Sequence, residues 1–302
     1  MHHPYRIRAL TTAALALAFA LNAAGQQAGE RQVQPGADAQ SIMKTTAPGD
    51  LVARVVKNEL TTHGGGQYRY RDWEKTPEGS KTQEVIETID GNVSRLIALN
   101  DQALTPEQRA QEEARLQSLP QHPELQRRHL RDQEQDAKKV ERMFRELPRA
   151  FVYEYEALES GETGDIVKLK FSPNPSYAPS SHEMAVFKGM SGRMWLNVTH
   201  FRLARIEGTL FREVTFGWGI LAHLNKGGHF NVEQTQIGPE RWEATSTNIQ
   251  FSGKALFFKT INLHEVEKLS DFRQVPHSLT LAQGVAILEK GQDELAINAD
   301  HK

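Results

Sequence analysis

The 302-residue chain contains no cysteine. That absence removes disulfides, Cys-ligated zinc, iron–sulfur clusters and thiol catalysis in one step. Surplus charge is missing too: 36 Lys and Arg against 38 Asp and Glu give a formal net charge of −2. A protein that tracks phosphates normally carries a basic excess or stripe, so this balance argues against nucleic acid as a partner. Long hydrophobic runs are scarce. Residues 9–21 form the one sustained run, shorter than the ~20 residues a membrane span needs. What is present, 38% hydrophobic and 25% charged residues, suits a folded chain with one generous core or two modest ones.

The N-terminus carries an address. Arg6 and Arg8 precede the apolar run, and the small residues Ala23 and Gly25 follow it. A basic start, about a dozen apolar residues and a small-residue exit predict a secretory signal peptide over residues 1–25. No Cys follows the run, so lipidation there is excluded, and the expected location is periplasmic or secreted. Removing residues 1–25 takes two bases and no acids, leaving 34 bases against 38 acids, net −4. Without disulfides, such a chain is held by its core alone.

Residues 26–47 are rich in Gln, Ala, Gly and Thr and read as a flexible lead-in. Leu51, Val52, Val55, Val56 and Leu60 then recur at helical spacing, with Asp50 as the expected N-cap. The 67–73 segment alternates aromatic with charged residues, as a strand does, and Asp90-Gly91 between two apolar segments is a hairpin signal. Thr105-Pro106-Glu107-Gln108 spells a capping box with Pro at the first helical position. It opens a helical insertion over residues 105–147, broken at Pro120 and Pro123, with nine bases, nine acids and a thin apolar stripe. Such a helix lies solvated on something larger. From Pro148 onward period-two alternation dominates, with turn residues about every ten positions. That pattern predicts a meandering antiparallel sheet with one apolar face. Beyond Pro276, Ser278 is the expected cap of a short last helix carrying Leu281, Ala282, Val285 and Leu288.

The chemistry-bearing patterns are weak. The glycines between Gly217 and Gly228 surround Lys226 in the wrong order for a phosphate-binding loop. Twelve histidines show neither H-x-x-x-H nor H-x-H seeds for zinc, and no G-x-S-x-G occurs. Glu154 and Glu156 alternate with apolar neighbours and are expected to face water. The expectation is therefore no catalytic residue, no metal and no cofactor. The strongest positive signal is a concentration of large apolar side chains on one sheet face, from Phe211 through Trp218, Phe230, Trp242 and Phe251 to Phe258. A curved sheet with helices over that face predicts an apolar groove, with Met194, Leu196, Val198, Val214, Phe216 and Trp218 as candidate ligand-facing residues. At ~0.8 kcal/mol per buried CH₂, a sixteen-carbon chain gains about 12 kcal/mol on full burial. Release then needs a lid, and the 48–60 and 105–147 helices are the candidates.

The 51–60 helix, the 67–73 strand, the Asp90-Gly91 hairpin and the run from Gly189 to Ile206, with Trp195-Leu196-Asn197 and Arg202-Leu203-Ala204-Arg205-Ile206 on consecutive strands, resemble the LolA/LolB lipoprotein-carrier superfamily, which includes the periplasmic regulator RseB. The resemblance spans residues 48–275. It implies an α+β fold: an unclosed half-barrel of antiparallel strands whose concave face is covered by helices, over a domain of residues 48–276 followed by a C-terminal helix and polar tail at 277–302. It also implies a non-catalytic envelope protein that binds a lipid, an acyl chain or an acylated polypeptide. The competing expectations are an envelope sensor that recognises another protein through its charged helices, and a hydrolase assembled from His200, His223 and Glu213.

Overall fold

A computed structural model describes residues 36–61, 66–216, 222–255 and 259–299. The expected signal peptide, the 217–221 stretch with Trp218, and Phe258 therefore lie outside the described residues. The fold is α+β, a large antiparallel sheet not closed into a barrel, with several helices. The chain divides into two compact units. One comprises residues up to Gly64 with Asp136–Val266, and the other comprises Gly65–Gln135 with Glu267–Lys302.

In the first unit, helices α1 (Ala37–Thr45) and α2 (Pro48–Thr61) precede the strands. Part of the expected flexible lead-in is thus helical, and Ala39 of α1 is buried in the core. Helix α2 begins at Pro48, where a missing N–H costs nothing. Asp50 consequently lies in the first turn rather than capping, and its N–H donates to the Ala47 carbonyl. Strands β5 (Phe151–Gly161), β6 (Gly164–Pro173), β7 (Met190–Asn197), β8 (Arg202–Leu210), β11 (His229–Gln236) and β12 (Trp242–Ala255) follow in the order β12-β11-β8-β7-β6-β5. Strands β9 (Val214–Phe216) and β10 (Ala222–Leu224) form a short hairpin, in which β10 also pairs with β12.

Register decides the faces. Phe171 lies opposite Gly192, Leu169 opposite Met194 and Val167 opposite Leu196. Gly192 in turn opposes Gly208, and Gly208 opposes Phe230. A Cβ on Gly192 would lie 1.9 Å from the Glu207 carbonyl oxygen and 2.8 Å from the Phe171 ring. Only glycine lets these strands and rings approach so closely. The inner face is covered by Leu51, Val52, Val55 and Val56 of α2 and by Val140, Met143, Phe144 and Leu147 of the long helix Pro123–Ala150, which together with the sheet make one core. On the outer face, alternate residues make a charge ladder. Glu156 meets Arg193 at 2.9 Å and Lys168 at 3.5 Å, while Arg205 meets Glu207 at 2.8 Å and Glu233 at 3.4 Å. Trp195 lies beneath the cations of Lys168 and Arg205. Glu154 and Glu156 are exposed, as expected. Phe211, grouped by sequence with the apolar face, is 42% exposed instead, beneath the Arg212 guanidinium; it follows the end of β8 at Leu210 and has left the alternation.

The second unit contains β1 (Gln67–Thr76), β2 (Gly79–Ile86), β3 (Val93–Leu99), β4 (Gln102–Ala103) and helix α3 (Pro106–Ser118). The Thr105 capping box forms as predicted. The long helix Pro123–Ala150, α4, runs on from this unit into the first. Strand β13 (Lys259–Val275) and helix α5 (Leu281–Ala299) return the chain to the second unit. Ile86, Val93, Leu116, Leu279, Leu281, Val285 and Leu288 form its core. Two details differ from expectation. Thr280 rather than Ser278 caps α5, because Thr280 Oγ1 accepts from the Gln283 N–H while the Gln283 side chain accepts from the Thr280 N–H. Ala282 faces outward. Asp90 of the predicted hairpin accepts from the Leu281 N–H, a carboxylate placed where the helix dipole favours it.

Candidate functional site

The inner face of the first unit is apolar along most of its length and polar at one end. Helix α2 makes the same transition. Val52, Val55 and Val56 turn toward the strands, and the next residues on that stripe are Asn58 and Glu59. The end of α2 meets the start of β8 and Gln234 of β11.

There Glu59 and Arg202 form a buried ion pair. Arg202 Nη2 lies 3.2 Å from Glu59 Oε2, and each side chain is 8% exposed. Glu59 Oε1 accepts from the Leu203 backbone N–H at 2.7 Å, and the Gln234 side chain donates to the same carboxylate. Burial still wins: it pushes the Glu59 carboxyl above its ordinary range against the opposing pull of Arg202, the Leu203 N–H and Gln234. The guanidinium is under-satisfied as well. Arg202 Nε and Nη1 are buried with no hydrogen-bond partner, and so is Gln234 Oε1. Each such group costs roughly 1–3 kcal/mol relative to a paired one, so the fold bears an expense here that packing alone does not explain.

The surroundings fix this cluster in place. The Asn58 side-chain amide donates to the carbonyls of His200 and Phe201, both at 3.1 Å. Phe201 has φ +52°, a left-handed conformation that is strained for an aromatic residue. The Arg54 guanidinium sits 3.4 Å from the Phe201 ring centroid. The His200 and Trp242 rings are 5.8 Å apart. Thr245 and Thr247 are buried on β12, and Thr245 shares a hydrogen bond with Thr235. The result is a polar, charge-bearing end to an otherwise apolar interior.

Of the candidate ligand-facing residues, Met194, Leu196, Val198 and Val214 are all buried in the first unit's core. Phe216 ends β9, and nothing is described of its side chain. The structure thus brings four of the six into one apolar layer. His200 and Glu213 are exposed and His223 lies on β10. Among the described residues no group of three or more His, Asp or Glu has metal-ligand spacing. Glu59, Arg202 and Gln234 carried no functional expectation from sequence. One signal was present: Glu59 stands at i+4 from Val55 and i+7 from Val52, so a carboxylate interrupts the apolar stripe.

No family model matches the sequence, and no curated protein does. Solved structures are distantly similar. A LolA superfamily protein from Nitrosomonas europaea is 10% identical, with 77% of this chain and 95% of that one covered and a TM-score of 0.26. A domain named for outer-membrane lipoprotein sorting, from Vibrio parahaemolyticus, is 10% identical over 74% of this chain and 91% of that one, with a TM-score of 0.29. A DUF1329 family protein from Desulfovibrio piger is 9% identical over 75% and 91%, with a TM-score of 0.25.

Proposed function

We propose that this is an exported, non-catalytic protein of the cell envelope that binds a lipid or an acylated polypeptide between the sheet and helices of its first unit. The observation that carries the reading is the construction of the helical cover. A continuous apolar sheet face is closed in part by α1 and α2, two short helices that precede every described strand. Polar contacts at their margins supplement the apolar packing: Gly36 N–H to Asp165, Tyr155 hydroxyl to the Thr46 carbonyl, and the Asn58 and Glu59 contacts at the end of α2. A cover made this way can lift without unravelling the strand ladder, and the sheet face it leaves is lined by Met194, Leu196 and Val198. Met194 adds an unbranched, adaptable surface suited to ligands of variable shape. The magnitude is workable, because α2 itself buries several aliphatic side chains in the same layer. An entering acyl chain replaces those contacts and gains only the difference, which leaves binding reversible.

The test is mass spectrometry under native conditions on protein purified from the envelope, followed by solvent extraction. The reading expects one bound amphiphile per chain and a loss of occupancy on Leu196→Asp. Protein that is empty after purification and takes up no added lipid would overturn it.

A further inference from the structure

We propose that Arg202, together with Glu59 and Gln234, is the recognition site for a phosphate-bearing head group of the amphiphile bound beneath α2. This rests on the lipid-binding reading above and adds to it the chemical class of the ligand's polar end.

Three observations converge. First, Arg202 is 6% exposed, yet its Nε and Nη1 are unpartnered, and only Nη2 contacts Glu59. The pair is single-pronged, because the second Glu59 oxygen is committed to the Leu203 N–H. A guanidinium presents five donors in a planar fork suited to oxyanions, and here most of that fork has no acceptor. Second, the unmet groups have both senses. Arg202 lacks acceptors, while Gln234 Oε1 is a buried acceptor lacking a donor. A carboxylate supplies acceptors only. A phosphate that keeps one proton, or a phosphate ester with a neighbouring hydroxyl, supplies both. Third, the site lies where the apolar stripe of Val52, Val55 and Val56 gives way to Glu59. A chain lying along that stripe places its head group at Arg202. The buried hydroxyls of Thr245 and Thr247 mark the same transition along β12. In the closed protein Glu59 occupies one donor as a partial surrogate for the ligand's charge, and its displacement is part of binding.

Short-chain probes separate the outcomes: dioctanoyl phosphatidic acid, dioctanoylglycerol with the same chains and no phosphate, and inorganic phosphate, each titrated calorimetrically. Phosphatidic acid is expected to bind at least tenfold tighter than dioctanoylglycerol. Arg202→Gln should reduce that preference to less than twofold. Glu59→Gln, which removes the competing carboxylate, should raise phosphatidic acid affinity at least threefold. Should Arg202→Gln fail to fold, Glu59→Gln decides alone, and an unchanged preference there overturns the assignment. Equal binding of the two lipids by the wild type overturns the head-group site while leaving the lipid-binding reading intact. Inorganic phosphate binding as tightly as phosphatidic acid assigns the site to a free anion and also overturns the proposal. If none of the three binds, both readings fail together.

Discussion

Buried polar atoms without partners are rare enough in folded proteins that each asks for a cause. Asp72 on β1 is one whose consequence is measurable without any ligand. Its Oδ1 is buried and unpartnered. Burial, reinforced by the neighbouring Glu74 and opposed by Lys81, pushes its carboxyl up from 3.8 to about 6. An acid whose pKa is raised by folding binds its proton more tightly in the native state. Its contribution to stability is therefore fully present below about pH 4 and is lost as pH rises through about 6. At ~1.4 kcal/mol per unit, the loss is on the order of 3 kcal/mol. Asp72→Asn should leave the carboxyl's neighbours in place and remove that slope. Chemical denaturation from pH 4 to 7 is expected to show the variant gaining on the wild type as pH rises, by roughly 1–3 kcal/mol at neutrality. Parallel pH profiles for the two proteins would refute the assignment. Glu59 is raised in the same direction but is present in both proteins, so it drops out of the difference.

At the scale of elements, what sequence revealed was whatever depends on near neighbours. The Thr105 capping box, Pro106 at the helix start and the alternation of Val167, Leu169 and Phe171 are local patterns, and all appear in the structure. The cap of α5 was misplaced by two residues because Ser278 and Thr280 are equally good candidates, and only the reciprocal contact with Gln283 separates them. The site cluster was less legible. Arg202 and Arg205 stand three residues apart in one strand, yet Arg205 belongs to the outer charge ladder and Arg202 is buried beside Glu59. An odd spacing sets the two on opposite faces of an alternating strand, but no local pattern shows that the buried one meets Glu59 of α2, far off in the sequence. A prediction belongs at this scale. The absence of native cysteine makes a lock clean: Asn58→Cys with His200→Cys joins the end of α2 to the turn it touches. Once thiol titration shows the bridge formed, lipid uptake should fall at least tenfold and recover on reduction. Unchanged uptake in the bridged protein would show that the ligand does not enter by the lifting of this end of α2.

The whole molecule is threaded so that neither unit is continuous in sequence. The second is begun by Gly65–Gln135 and completed only by Glu267–Lys302. No sequence-local signal marks this, because the partners are 193 and 212 residues apart: Arg95 donates to the Leu288 carbonyl at 2.7 Å, and Gln67 accepts from the Leu279 N–H. Residues 277–302, which read as a short helix and tail, supply Leu279, Leu281, Val285 and Leu288, four of the seven buried residues of that unit's core. Removing them takes away most of the apolar surface that Ile86, Val93 and Leu116 are buried against. It also leaves Arg95, whose guanidinium burial already lowers in pKa, without its carbonyl acceptor. The remaining core is too small to hold β2 and β3 against the entropy of ordering them. A chain ending at Pro276 is therefore expected to lose hydrogen-exchange protection across β2, β3 and α3. Strands β6 and β7 should keep theirs, because the core they share contains no residue beyond Leu263. Retained protection in β2 and β3 would mean that the sheet pairing of β1, β2 and β3 suffices by itself. Uniform loss across all strands would mean that the two cores are stable only together, and the two-unit reading of the chain would fail with it.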